Sequence, residues 1–65
     1  MPYFSSSAIR AAEYNPASHT LAITFTSGRT YDYYGVPQYI YNGLLAAASK
    51  GEYFNDNIRD QYGYR

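Results

Sequence analysis

The stretch Phe25-Thr26-Ser27-Gly28-Arg29-Thr30-Tyr31-Asp32-Tyr33-Tyr34-Gly35-Val36-Pro37 leaves the chain little choice of fold. A tight turn, a tyrosine-bearing strand and a helix start follow one another in it with no spare residues. A three-residue loop of Thr26, Ser27 and Gly28, with the glycine in the left-handed conformation that makes a bulge, sets Phe25 opposite Arg29, Ile23 opposite Tyr31 and Leu21 opposite Tyr33. Directly opposed residues share a face, so Leu21, Ile23, Phe25, Tyr31 and Tyr33 form one apolar surface, while Thr20, Ala22, Thr24, Thr30, Asp32 and Tyr34 look away. A two-residue loop of Ser27 and Gly28 would shift every partner and bring Asp32 beside Ile23 on the apolar side, where an unpaired carboxylate is costly. Serine is also a poor first residue for the primed turn such a loop needs, so the three-residue form is expected.

Upstream, Ala8 to Tyr14 reads as a first strand, but Ile9 and Tyr14 are five apart and share a face only if a bulge lies between them. Asn15-Pro16-Ala17-Ser18 carries the residues of a reverse turn. His19 to Phe25 alternates polar or small with large apolar residues and is the clearest strand, and Arg29 to Tyr34 is the third. The short connections imply an antiparallel meander. Met1 to Phe4 reads as a frayed start.

Downstream, Gly35 ends the third strand and Val36-Pro37 opens a helix, proline being tolerated in a first turn where no amide hydrogen is needed. Val36, Ile40, Tyr41, Leu44, Leu45 and Ala48 recur at helical spacing as one apolar stripe. The Asn42-Gly43 pair in mid-helix costs about 1 kcal/mol relative to alanine, which points to tight packing or a close approach to the backbone there. Ser49-Lys50-Gly51-Glu52 has the spacing of a capping box and begins a second helix. Phe54, Ile58 and Tyr62 follow at intervals of four and pack inward, leaving Tyr53, Asn55, Asp56, Arg59 and Asp60 on or near the exposed side. Residues 62–65 read as an extended tail. The expected fold is therefore α+β, a three-stranded antiparallel meander followed by two helices packed on one face, forming a single domain over residues 1–65 with its core at about 7–62.

Composition narrows the function classes. There is no cysteine, so neither a disulfide framework nor a cysteine-based metal site supports the fold, and the core must do so alone. Five basic and five acidic residues cancel, which disfavours a grip on nucleic acid by charge alone. Ten tyrosines and three phenylalanines supply much of the apolar area, and some aromatic surface is expected to stay exposed and available for self-association. No apolar run has the length of a membrane span or a signal-peptide core, so a cytoplasmic location is expected.

Tyr14 before a turn, Leu21-Ala22-Ile23-Thr24-Phe25, Gly28, Tyr31-Asp32-Tyr33, Val36-Pro37, Ala48-Ser49-Lys50-Gly51, Tyr53-Phe54-Asn55, Ile58-Arg59 and Tyr62 together form a pattern that resembles the KTSC domain. That family is named for its occurrence at the carboxyl end of some lysyl-tRNA synthetases and also occurs as free-standing short bacterial and phage proteins. The resemblance covers roughly Ser7 to Tyr62, and its most recognisable pieces are the tyrosine triplet at 31–33 and the segment 49–62. It implies an RNA-binding role through the company the domain keeps. This chain departs from the pattern at Asn15, where many relatives have aspartate, and in its serine-rich opening.

Enzyme chemistry finds little support. His19 is the only histidine, with no cysteine or acidic cluster beside it, and reads as a solvated strand-end residue. Asp56 and Asp60 lie one turn apart beside Arg59 and read as surface charges. No phosphate loop, metal site or cofactor motif is present in the sequence. A non-enzymatic binding module is expected, taking RNA or a small nucleotide by aromatic stacking plus a few cationic contacts. The candidate contact residues are Arg10, Arg29, Tyr34, Lys50, Tyr53, Asn55 and Arg59. The alternative is a protein-interaction module that pairs with itself as a homo-oligomer, or with a host protein, with no nucleic-acid ligand.

Overall fold

The computed structural model describes residues 8–65, and the expectations for Met1 to Phe4 and for the serines at 5–7 lie outside them. Three strands, β1 (Ile9–Asn15), β2 (Thr20–Phe25) and β3 (Thr30–Tyr33), precede two helices, α1 (Gln38–Ala46) and α2 (Lys50–Asn57). The strands form one antiparallel sheet in the order β1-β2-β3.

The β2–β3 turn has the expected register. Leu21 faces Tyr33 and Ile23 faces Tyr31. The Phe25 N–H donates to the Arg29 carbonyl at 2.8 Å, the Gly28 N–H donates to the Phe25 carbonyl at 2.9 Å, and Gly28 has φ of 95°. The polar face is equally regular, with the Thr24 and Thr30 hydroxyls 2.8 Å apart across the strands.

β1 contains the bulge that the five-residue spacing demands. Ile9 pairs with Phe25 and Ala11 with Thr24, so Arg10 is the extra residue. The slip puts Ile9, Ala12 and Tyr14 on the same face as Ile23 and Leu21, and Ile9 and Ala12 are fully buried there. In the β1–β2 turn the Asn15 Oδ1 accepts from the Ala17 N–H at 3.0 Å, while His19 takes φ of 54°.

Both helices cover the apolar face. Val36, Ile40, Leu44, Phe54 and Ile58 join Ile9, Ala12, Leu21, Ile23 and Tyr33 in one core. Tyr14 ties the layers together: its ring stacks on Tyr41 at 5.2 Å, and its hydroxyl donates to the Val36 carbonyl at 2.5 Å. Ser49 caps α2 by accepting from the Glu52 N–H at 3.3 Å.

The start of α1 follows the sequence reading, and further along the helices two details differ from it. Pro37 takes the N-cap position, next to the first turn of α1. The apolar stripe stops at Leu44, because α1 ends at Ala46 and the chain turns extended at Ala47; Leu45 and Ala48 are exposed. α2 ends at Asn57, where Ile58 leaves helical geometry and the Ile58 and Arg59 amides both donate to the Phe54 carbonyl. Tyr62 still reaches the core as a partly buried ring.

The last residues run as a strap along the outer edge of β3. Asp32 and Arg65 exchange two backbone hydrogen bonds, at 3.0 and 2.9 Å, and the Tyr34 N–H donates to the Gly63 carbonyl at 2.9 Å. Tyr33 and Tyr64 are thereby set side by side as an antiparallel bridge.

Candidate functional site

The strap completes a closed circuit of five aromatic rings. Phe25 meets Tyr31 at 5.8 Å, Tyr31 meets Tyr64 at 5.3 Å, Tyr64 meets Tyr33 at 5.3 Å, Tyr33 meets Phe54 at 5.5 Å and Phe54 returns to Phe25 at 5.3 Å. Four of the five contacts are edge-to-face and one is tilted, so the ring edges meet neighbouring faces in the arrangement that aromatic quadrupoles favour. These five side chains line a groove of about 590 Å³ between the β2–β3 hairpin and α2.

Polar groups stand around this aromatic lining. Arg29 comes from the hairpin, and Asn55, Arg59 and Asp60 from α2 and the turn after it. The Arg29 guanidinium is exposed beside the Tyr31 phenol, whose polar and charge interaction raises its pKa above that of an ordinary arginine. Arg59 donates to the Asn55 Oδ1 at 3.5 Å, one helical turn back. Burial raises the pKa of the Tyr33 phenol, with further upward contributions from the Tyr64 and Tyr31 phenols, against a downward pull from the Arg59 charge. The groove thus combines neutral phenols with two guanidinium groups, a set suited to a ligand with a planar ring and a negative charge.

Of the seven candidate contact residues, the structure brings Arg29, Asn55 and Arg59 together at this groove. Arg10 stands at the β1 bulge and is exposed. Tyr34 lies on the opposite sheet face, 44% exposed, in a shallow depression with Glu13, Asn15, Thr20, Ala22 and Asp32. Lys50 donates to the Leu45 carbonyl at 3.0 Å and to the Ala47 carbonyl at 2.5 Å, so its ammonium closes the end of α1. Tyr53 corrects the expectation of an exposed ring: it is half-buried against the core, and its hydroxyl donates to the Ile40 carbonyl at 3.0 Å. The signal for that contact was already present in Gly43, since a Cβ there would lie 2.7 Å from the Tyr53 Cζ. Tyr64 is the groove residue that the sequence reading missed, because three residues in a tail carry no periodicity.

His19 stands exposed at its turn, and among the described residues no group of three or more His, Cys, Asp or Glu side chains is placed to hold a metal ion. No helix among the described residues is long and apolar enough to cross a membrane.

The family model of the KTSC domain matches residues 5–62. The chain belongs to the KTSC domain family. A KTSC domain protein from Yersinia pestis, solved by crystallography, matches this fold with a TM-score of 0.95 at 34% identity, over 98% of this chain and 90% of that one. A protein of Tsukamurella paurometabola is 47% identical over 57 residues, covering 88% of this chain and 85% of the relative. A lysine–tRNA ligase of a Nostoc species is 41% identical over 56 residues, but the KTSC chain spans only 10% of that ligase's length. The same small domain thus stands nearly alone in one relative and forms a minor part of a much larger enzyme in another.

Proposed function

We propose that this KTSC domain is a non-enzymatic binding module whose groove takes single-stranded RNA or a small nucleotide. The observation that carries the reading is the closed circuit of five rings with Arg29 and Arg59 beside it. An exposed base stacks on a phenol face, a contact worth about 1–3 kcal/mol per base, and the guanidinium forks hold the phosphate. The similarity to part of a lysine–tRNA ligase supports a ligand of this class. Zero formal net charge fits a module that relies on stacking more than on long-range attraction.

The test is titration of the chain with short single-stranded RNAs and with nucleotides at several salt concentrations, followed by fluorescence anisotropy. Binding at low salt is expected. In the Arg29→Ala/Arg59→Ala variant the salt slope should fall by about 1.4, the loss of two phosphate contacts to a single strand. No binding at low salt, or an unchanged slope in the double variant, would overturn the reading.

A second reading, self-association or pairing with a host protein, rests on the outer side of α1, where Tyr39 is 70% exposed and Leu45 39% exposed. A concentration-dependent mass abolished by Tyr39→Ser would favour it over the nucleotide reading.

A further inference from the structure

Asp60 is the one carboxylate among the described residues that line the groove, and neither the stacking nor the phosphate contacts of the nucleotide reading use it. It is exposed in the turn after α2, and its side chain makes no hydrogen bond or ion pair with another described residue. A carboxylate repels phosphate, so within a nucleotide site it belongs against the part that carries hydrogen-bond donors, which is the base. The other groove residues agree with that division. Arg29 stands beside Tyr31 and Arg59 acts on the Tyr33 phenol, so the two guanidinium groups flank the phenol pair. Asn55 accepts from Arg59 through its Oδ1 at 3.5 Å, which leaves its NH2 group as a donor on the helix wall of the groove.

The helix wall therefore offers an acceptor-only group, Asp60, together with an amide donor, Asn55. The two oxygens of a carboxylate are best satisfied by two adjacent N–H donors. Among the four RNA bases only guanine has such a pair on its pairing edge, N1–H beside the N2 amino group, and its O6 accepts from an amide NH2. Adenine and cytosine set a single amino group beside a ring-nitrogen lone pair, which a carboxylate repels. Uracil has one N–H with a carbonyl oxygen on each side. Each of those three bases would leave the Asp60 oxygens poorly paired as the groove closes on the base, and a polar site discriminates strongly against a ligand that leaves its groups unpaired.

We propose that Asp60 makes the groove selective for guanine, its carboxylate accepting from N1–H and the N2 amino group while the Asn55 amide donates to O6. The inference rests on the nucleotide reading of this groove and adds the identity of the base. The guanine ring stacks on the phenol faces, which every base can do, and the arginines hold phosphate whatever the base, so selectivity falls to the helix wall. A guanine nucleotide and a guanosine within a single strand present the same edge to Asp60, and the experiment separates them.

The full chain is titrated at low salt with the monophosphates of guanosine, adenosine, cytidine, uridine and inosine, and with uridine tetranucleotides that carry one guanosine, adenosine or inosine. The guanosine ligand should bind roughly 10- to 100-fold more tightly than its adenosine counterpart, the range of one good bidentate base contact. Inosine, which lacks the N2 amino group, should lose most of that preference. Asp60→Asn should bring the guanosine and adenosine ligands to the same affinity with the melting temperature unchanged, since Asp60 is exposed. A preference already present among the monophosphates assigns a free nucleotide, one confined to the tetranucleotides assigns a base within a strand, and either supports the proposal. Equal binding of all four bases overturns it and leaves the nucleotide reading standing. A guanine preference that survives in Asp60→Asn, or one that inosine matches, overturns it as well. If none of the monophosphates or tetranucleotides binds, the nucleotide reading fails and the guanine inference falls with it.

Discussion

The ring of Tyr53 lies directly over the backbone of Gly43, and its hydroxyl donates to the carbonyl of Ile40 one turn earlier in α1. This contact fixes the spacing of the two helices. Glycine in mid-helix sacrifices about 1 kcal/mol of helix propensity, and here the missing methyl group makes room for an aromatic ring.

Gly43→Ala should therefore destabilise the chain despite improving helix propensity. The new Cβ would lie within 3.0 Å of the Tyr53 hydroxyl oxygen and of two of its ring carbons, and the ring cannot swing aside without losing its hydrogen bond. Overpacking of this kind costs about 1–3 kcal/mol. Urea denaturation measures it, and a variant as stable as the parent would show that the ring moves freely. Tyr53→Phe, which loses only the hydroxyl, should cost about 1 kcal/mol.

Gly28 and Gly35 both have positive φ, at 95° and 68°. Neither would bring a Cβ into contact with another part of the chain, so any penalty is conformational. Gly28→Ala should cost about 1–2 kcal/mol, since a Cβ is strained there. Gly35→Asn should cost less, because asparagine tolerates the left-handed region. Comparing the two melting temperatures tests the turn assignment, and equal losses would contradict it.

Alkaline pH should unfold the chain earlier than its charge balance suggests. Burial is the leading cause of an upward pKa shift at Tyr33, Tyr41, Tyr53 and Tyr62. The fold favours the neutral phenol, so this stabilisation is complete below the unfolded tyrosine value of about 10 and is lost as pH rises through the folded values. Melting temperatures recorded from about pH 8 to about pH 11 should fall, and Tyr33→Phe should show a shallower fall because one raised group is gone. A decline as steep in that variant as in the parent would remove Tyr33 from the account.

The parts of the fold legible in the sequence were those where a local constraint had only one solution. Asp32 could not sit beside Ile23, so the hairpin register followed. Ile9 and Tyr14 could not share a face without an extra residue, and the bulge stands at Arg10. What could not be read depends on contacts between distant segments. Spacings of four among Phe54, Ile58 and Tyr62 suited a longer helix, yet the backbone leaves helical geometry at Ile58 while all three rings or chains still pack inward. The convergence of Arg29 with Asn55 and Arg59 depends on how α2 lies against the hairpin, and no local periodicity encodes that alignment. Tyr53 and Gly43 each carried half of a signal, and only their juxtaposition gave it meaning.

Lys50 begins α2 and at the same time closes α1 through the carbonyls of Leu45 and Ala47. The end of one helix and the start of the next therefore share a single side chain, and fraying cannot begin at either terminus without loosening the other. Acetylation of that amine would remove the charge and two of its donors. The helical corner should then open as one cooperative unit, with backbone amides on both sides of Ala48 exchanging with solvent at a common rate.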